Sequence, residues 1–177
     1  MSVPAGSPGS SVPRARTGKT RTTLLRKAAG RIPIDVRRRL MGSSVIRRLY
    51  ETWSRDDLTS LDSLIADQYT IFSDPGDAWE GQTLGRDAYR QRLLYSRKAF
   101  PDLVFEIMQL IHESDRVAVI WKASGTHLGD MRGLPATGRR LSFSGQTFYL
   151  IENGKAAGHW QIVDRLGFIQ QLQDSGQ

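Results

Sequence analysis

The residues best placed to do chemistry lie near the end of the chain, in Gly158-His159-Trp160-Gln161-Ile162-Val163-Asp164-Arg165-Leu166-Gly167-Phe168. The segment reads as a strand. Strand side chains alternate with a period of two, so Trp160, Ile162 and Asp164 share one face. A carboxylate in line with two large apolar groups is costly to desolvate. Burial raises its pKa toward neutrality, where it can give or take a proton. Asp164 is therefore the candidate general acid/base. The competing reading is an exposed strand-end aspartate paired with Arg165. His159 has the opposite parity and is expected to point away from the Asp164 face, as a pocket residue or as a half-exposed structural histidine.

Four further residues are candidates for substrate contact. Gln146, in Ser144-Gly145-Gln146-Thr147, lies mid-strand in a largely apolar run, where an amide can hold a carbonyl or be satisfied by a neighbouring strand. His127, at a strand end before Gly129, is either a donor at a cavity mouth or a loop residue. Trp121 and Trp160 are expected in the core or the pocket wall. Tyr50, Trp53 and Tyr89 sit on helix faces that should cover such a pocket. His112 falls in a turn and is expected to be solvated. The three histidines are too scattered for a metal site. Ser142 and Ser144 have no His/Asp pair in an order that supports nucleophilic catalysis. The loop Gly129 to Gly138 has no phosphate-loop pattern and is a candidate lid.

The elements that must position these groups follow from periodicity and punctuation. Ser43 or Ser44 caps a helix with Val45, Ile46, Leu49, Tyr50 and Trp53 on one face. Asp56-Asp57 opens a second, short helix with Leu58, Leu61, Leu64 and Ile65. A strand from Tyr69 to Ser73 ends at Asp74-Pro75-Gly76, a turn signal. A loop from Gly81 to Gly85 precedes the longest helix, Arg86 to Phe100, with Tyr89, Leu93, Leu94 and Phe100 inward and Pro101 as its stop. Long strands follow at 103–111, 116–126, 140–151 and 156–164, the last two joined by the hairpin turn Glu152-Asn153-Gly154-Lys155. A helical turn over 167–172 closes the chain. Helices first and an antiparallel meander afterwards make an α+β fold.

Composition sets the limits. The chain has 177 residues, room for one domain with some residues left over. It has no cysteine, which excludes a disulfide framework and thiolate chemistry and suits a reducing, cytoplasmic setting. No apolar run is long enough for a transmembrane helix. Of the 25 basic residues, about half stand at or before Arg48, opposed only by Asp35. Residues 1–42 thus read as a basic leader, disordered to about Thr23, followed by an interrupted amphipathic stretch to Leu40. It is open whether the leader is a solvated tail, a transit-like segment, or a surface that contacts membrane or nucleic acid. The body, 43–177, is mildly acidic, and no nucleic-acid partner is expected for it.

Four stretches carry a resemblance to a known family: Arg48-Leu-Tyr-Glu-Thr-Trp-Ser-Arg-Asp-Asp-Leu58, Ala99-Phe-Pro-Asp-Leu-Val-Phe105, the segment from Gly125 to Arg139, and His159-Trp-Gln-Ile-Val-Asp-Arg-Leu-Gly167. Together they resemble the SnoaL-like polyketide cyclases, or ester cyclases, of the NTF2-like superfamily, from about Val45 to Leu172. The resemblance implies a cone-shaped α+β fold: a curved antiparallel sheet with helices over its concave face and a hydrophobic cavity between them. It implies intramolecular aldol ring closure of a small hydrophobic, polyketide-like carbonyl substrate, with neither a metal nor an organic cofactor. It also implies a homodimer, and an aspartate on the last long strand as acid/base, which matches Asp164. One departure stands out. Many relatives carry a histidine on the first strand where Tyr69-Thr-Ile-Phe-Ser-Asp-Pro75 has Phe72 or Ser73. A non-catalytic module that binds a lipid-like or aromatic ligand is the alternative function.

Overall fold

The computed structural model describes residues 33–55, 57–131 and 133–173. The expectations for the leader up to residue 32 lie outside the described residues. Helix α1 spans Ile34–Arg55, α2 spans Leu61–Leu64, strand β1 spans Ile65–Ser73 and β2 spans Thr83–Gly85. Helix α3 (Arg86–Ala99) is followed by β3 (Val104–Glu113), β4 (Arg116–Thr126), β5 (Arg140–Glu152), β6 (Lys155–Val163) and α4 (Arg165–Gln173).

The six strands form one sheet in the order β2-β1-β6-β5-β4-β3. All neighbours are antiparallel except β1 and β6, which run parallel with two register shifts. The sheet curves, and the helices pack over its inner face in the α+β arrangement expected from the sequence. Period-two burial sets that face: Val117, Val119, Trp121 and Ala123 of β4 are buried, while Ile120 between them is 44% exposed. Helix α1 contributes Ile46, Leu49 and Tyr50 to the core, and α3 contributes Tyr89 and Leu93. The β5–β6 hairpin turns on Asn153 and Gly154, both left-handed at φ 49° and 76°. That is the pair of conformations a tight, right-twisting hairpin requires.

Several elements differ from the sequence reading. Helix α1 begins at Ile34, well before Ser43. The second helix is a single turn, Leu61–Leu64, because β1 starts at Ile65 and takes the chain into the sheet. The loop over 81–85 ends in β2, which pairs with β1 through Thr83 and Leu84. Leu94 is exposed rather than inward, and Arg92 takes the buried place beside Tyr89 and Leu93. His112 lies in β3, half-buried against Gly42, where an added Cβ would fall 2.5 Å from the imidazole. Asp164 lies just past the end of β6.

Candidate active site

Between the sheet and the helices lies a cavity of about 300 Å³, at the lower end of the range for small-molecule sites. Its wall is largely aromatic and includes Tyr50, Trp53, Tyr89, Phe105 and Trp121. Polar groups gather at one end, around Asp74, which immediately follows β1 and is only 1% exposed.

Asp74 is held by donors from three elements. Arg165, the first residue of α4, donates from Nη2 to Oδ1 at 2.8 Å. Gln161 of β6 donates from Nε2 to Oδ2 at 2.9 Å, and Arg92 of α3 donates from Nη2 to the same oxygen at 3.3 Å. Arg92 also reaches Asp77 Oδ2 at 3.4 Å. The turn that carries the aspartate is closed by the Asp77 N–H donating to the Asp74 carbonyl at 2.7 Å. A directional chain extends from here into the sheet. Trp121 Nε1–H donates to Thr147 Oγ1 at 2.8 Å, and Thr147 Oγ1–H donates to Gln161 Oε1 at 2.7 Å. This fixes the orientation of the Gln161 amide, so its NH₂ faces the carboxylate.

His159 stands beside this carboxylate. It pairs in register with Tyr149 of β5 and Ile71 of β1, which turns its ring inward, and it is 3% exposed. Its Nε2 lies 3.9 Å from Asp74 Oδ2, too far for a hydrogen bond but close enough for the carboxylate to act on any charge the ring acquires. Its Nδ1 shares a 2.8 Å hydrogen bond with the Tyr69 hydroxyl.

These contacts set the ionisation of the site. Burial works to raise the Asp74 pKa, but His159, Arg92 and Arg165 outweigh it and hold the carboxyl below its ordinary value. Burial lowers the His159 pKa. Asp74 opposes that and Arg92 adds to it, and the balance lies below the ordinary histidine value. At neutral pH the pair is therefore a carboxylate beside a neutral imidazole. Burial also raises the pKa values of Tyr50, Tyr69, Tyr89 and Tyr149, so these hydroxyls remain protonated donors. Among the described residues no cluster of His, Asp or Glu is arranged to hold a metal ion.

The residues picked from sequence fall on both sides of the sheet. His159 and Trp121 line the cavity. Gln146 is exposed on the outer face, in register between Ile120 and Ile162. Trp160 is also on that face, stacked on Phe72 with ring centroids 4.2 Å apart. His127 is fully buried behind the wall, stacked on Phe100 and sharing a 3.2 Å hydrogen bond with Thr137 Oγ1. The loop after it sends Met131 and Leu134 to the cavity.

The expectation of a sequestered Asp164 is corrected. Trp160, Ile162 and Asp164 do share a face, but it is the outer one, and Asp164 is exposed. Its Oδ1 accepts the Gly167 N–H at 2.9 Å, the bond of a helix N-cap. A Cβ on Gly167 would fall 2.4 Å from Asp164 Oδ2, so Asp164-Arg165-Leu166-Gly167 is a capping arrangement that starts α4. Arg165 does not pair with Asp164; it turns inward to Asp74. Sequence reasoning passed over Asp74, Arg92 and Gln161. The available signal was Arg92, which stands at helical spacing among Tyr89, Leu93 and Ser96 on a face that must be buried.

Comparison with known proteins agrees with this architecture. The chain shares 38% identity with a candidate polyketide cyclase of Acidithiobacillus ferrooxidans, with a TM-score of 0.71 over 77% of this chain and 96% of that one. TsrD of Streptomyces laurentii superposes with a TM-score of 0.67 at 27% identity, over 76% of this chain and 96% of TsrD. Aklanonic acid methyl ester cyclase DauD of Streptomyces sp. (strain C5) is 29% identical over 133 residues, covering 72% of this chain and 79% of DauD. Residues 43–172 match the family described as SnoaL-like polyketide cyclase, and the chain belongs to that family.

Proposed function

We propose that the protein is a cofactor-independent acid/base enzyme acting on a hydrophobic carbonyl compound, with His159 and Asp74 as its proton-transferring pair. The observation that carries this reading is a buried carboxylate beside a neutral imidazole at the polar end of an aromatic cavity. In the tautomer whose Nδ1–H donates to the Tyr69 hydroxyl, Nε2 is free to accept a proton. The imidazolium then formed faces the Asp74 carboxylate, which stabilises its charge.

The finer reading is ring closure in a polyketide-like substrate, in keeping with the ester cyclase name of one relative. His159 Nε2 removes a proton from the carbon α to a carbonyl. The resulting enolate attacks a second carbonyl of the same molecule and forms a carbon–carbon bond. The new alkoxide recovers the proton from His159, so no atom is gained or lost. Neutral tyrosine hydroxyls in the wall supply donors to the oxygen that becomes negative, and the cavity holds the two carbonyls within reach of each other.

The test is turnover of an aromatic poly-β-ketone methyl ester by wild-type protein and by His159→Gln. Loss of at least about 100-fold in kcat is expected, the usual scale for a general base. Full activity in the variant would remove His159 from the mechanism. We further propose a homodimer formed through the outer sheet face, where Phe148 is 52% and Ile162 63% exposed. Sedimentation of wild-type and Ile162→Glu protein tests this. A monomeric wild type would refute it.

A further inference from the structure

Helix α1 extends beyond the core on which it packs. Its buried positions begin at Gly42 and continue through Ile46, Leu49 and Tyr50. Ahead of Gly42 every described side chain of the helix is exposed: Ile34 (73%), Val36 (40%), Arg37 and Met41 (52%). Most helical stability in proteins comes from packing an apolar face. The aliphatic side chains at this end of α1 remain in water.

The exposed residues are ordered along the helix. Ile34, Arg37, Met41, Ser44 and Arg48 follow one another at spacings of three or four, so they form one stripe about 21 Å long. All five are exposed, and so is Arg47 at the edge of the stripe. Among the described residues its arginines have no carboxylate partner. Arg48 Nη2 reaches the neutral Ser63 Oγ at 3.5 Å, and the adjacent Asp62 is already paired with Arg90 at 3.0 Å. The sequence adds charge of the same sign, since every charged residue before Pro33 is basic.

Two polyanions attract such a surface, a nucleic acid and a bilayer with anionic headgroups. The aliphatic residues favour the bilayer. Ile34 and Met41 gain by leaving water for the headgroup–acyl boundary, while arginine stems lie along it and carry their guanidinium groups to the lipid phosphates. On a nucleic acid those two side chains would find no such apolar layer, and no Phe, Tyr, Trp or His precedes Tyr50 to stack on bases. Among the described residues no helix is long and apolar enough to cross a membrane, so the contact is with the surface.

We propose that the stripe from Ile34 to Arg48 docks the protein on an anionic phospholipid surface. Helix α1 lies in the plane of the interface, with Ile34 and Met41 inserted at headgroup depth and Arg37 and Arg48 on lipid phosphates. The cavity takes no part in this contact.

The test is sedimentation of the full chain with vesicles of phosphatidylcholine alone and of an equal mixture of phosphatidylcholine and phosphatidylglycerol. Binding to the mixed vesicles is expected to be at least about tenfold tighter and to weaken as salt is raised. Arg37→Gln/Arg48→Gln should lose about tenfold or more. Ile34→Ser/Met41→Ser, which leaves the charge unchanged, should lose at least about fivefold. Circular dichroism checks that both variants keep the fold. Absent binding, or equal binding to the two vesicle types, overturns the proposal, and this comparison needs only wild-type protein. Undiminished binding by both variants assigns the attraction to the residues before Pro33 and removes α1. A loss in the arginine variant alone means attraction without insertion, and the docking described is then wrong. Displacement of the protein from mixed vesicles by duplex DNA at matched phosphate concentration overturns the bilayer as the partner.

Discussion

Replacing Asp74 with asparagine tests the centre of the site with almost no change in shape. Asp74 is 1% exposed and faces Arg92, whose side chain is 10% exposed. Breaking a fully buried ion pair by removing one charge costs about 3–5 kcal/mol. Two features bring the figure down here. Arg165, the other partner, has a side chain 39% exposed, so water already screens that attraction. Arg92 keeps Asp77 at 3.4 Å. One feature acts the other way. The asparagine carbonyl can serve only one side, and its NH₂ then confronts either an arginine or the Gln161 NH₂. Rotating the Gln161 amide relieves the second conflict but turns a donor on Thr147 Oγ1, which already accepts from Trp121 and donates to Gln161. The net expectation is a loss of about 2–3 kcal/mol, or roughly 5–10 °C in Tm for a domain of this size. Thermal unfolding followed by circular dichroism measures it. A Tm within about 1 °C of wild type would show that the carboxylate is not a buried anion on which the two arginines depend.

Stability should also fall with acid, in two stages. The His159 pKa is lowered on folding, so the unfolded chain binds that proton first. Stability is therefore lost as pH drops below about 6.5 toward the lower folded value. The Asp74 pKa is likewise lowered, so its contribution is present above the ordinary carboxylate value and disappears as pH falls through its folded value. Denaturant midpoints across this range should show both stages, and His159→Gln should abolish the first. In Gly145→Ala, the new Cβ would lie 2.3 Å from Trp121 Cζ2 and 2.7 Å from the Ile162 carbonyl oxygen. That variant is expected to lose about 1–3 kcal/mol by overpacking, with a changed tryptophan emission spectrum as Trp121 shifts. Unaltered emission and stability would contradict the packing described. Asp164→Ala should lose about 1 kcal/mol, the usual worth of an N-cap, while Asp164→Asn stays near wild type. Loss of turnover in Asp164→Asn with stability retained would return that residue to the site.

The parity of the last strand was legible in the sequence, but its inner face was not. Alternation places His159, Gln161 and Val163 opposite Trp160, Ile162 and Asp164, and the structure keeps that division. Large apolar side chains pointed to the wrong face as the inner one. Trp160 is accommodated outside by stacking on Phe72, with Arg116 over its ring, so its size did not require the interior. Asp74 was visible only as a turn residue because the groups that define it converge from far along the chain. Arg92 is 18 residues away and Arg165 is 91. The resemblance read from four motifs gave the fold, since it depends on the order of elements. It also singled out Asp164, which is exposed and caps α4 through the Gly167 N–H; a capping aspartate and a sequestered one look alike in sequence.

The choice of His159 rather than Asp74 as the group that receives the proton rests on their opposite suitability. A carboxylate held by two arginines and an amide, with its pKa lowered, is a weak base, and each unit of lowering removes tenfold in proton affinity. A neutral imidazole with an unpartnered Nε2 starts closer to the operating pH, where general bases work best. If Asp74 acts by stabilising the imidazolium, its removal must make His159 harder to protonate. In Asp74→Asn the His159 pKa should fall below its wild-type value, because the partner that raises it is gone while Arg92 remains to lower it. An NMR titration of the His159 ring protons reads this directly and needs no substrate. An unchanged or higher His159 pKa in that variant would mean that the two side chains are not electrostatically joined, and the proton-transferring pair would have to be sought elsewhere in the cavity.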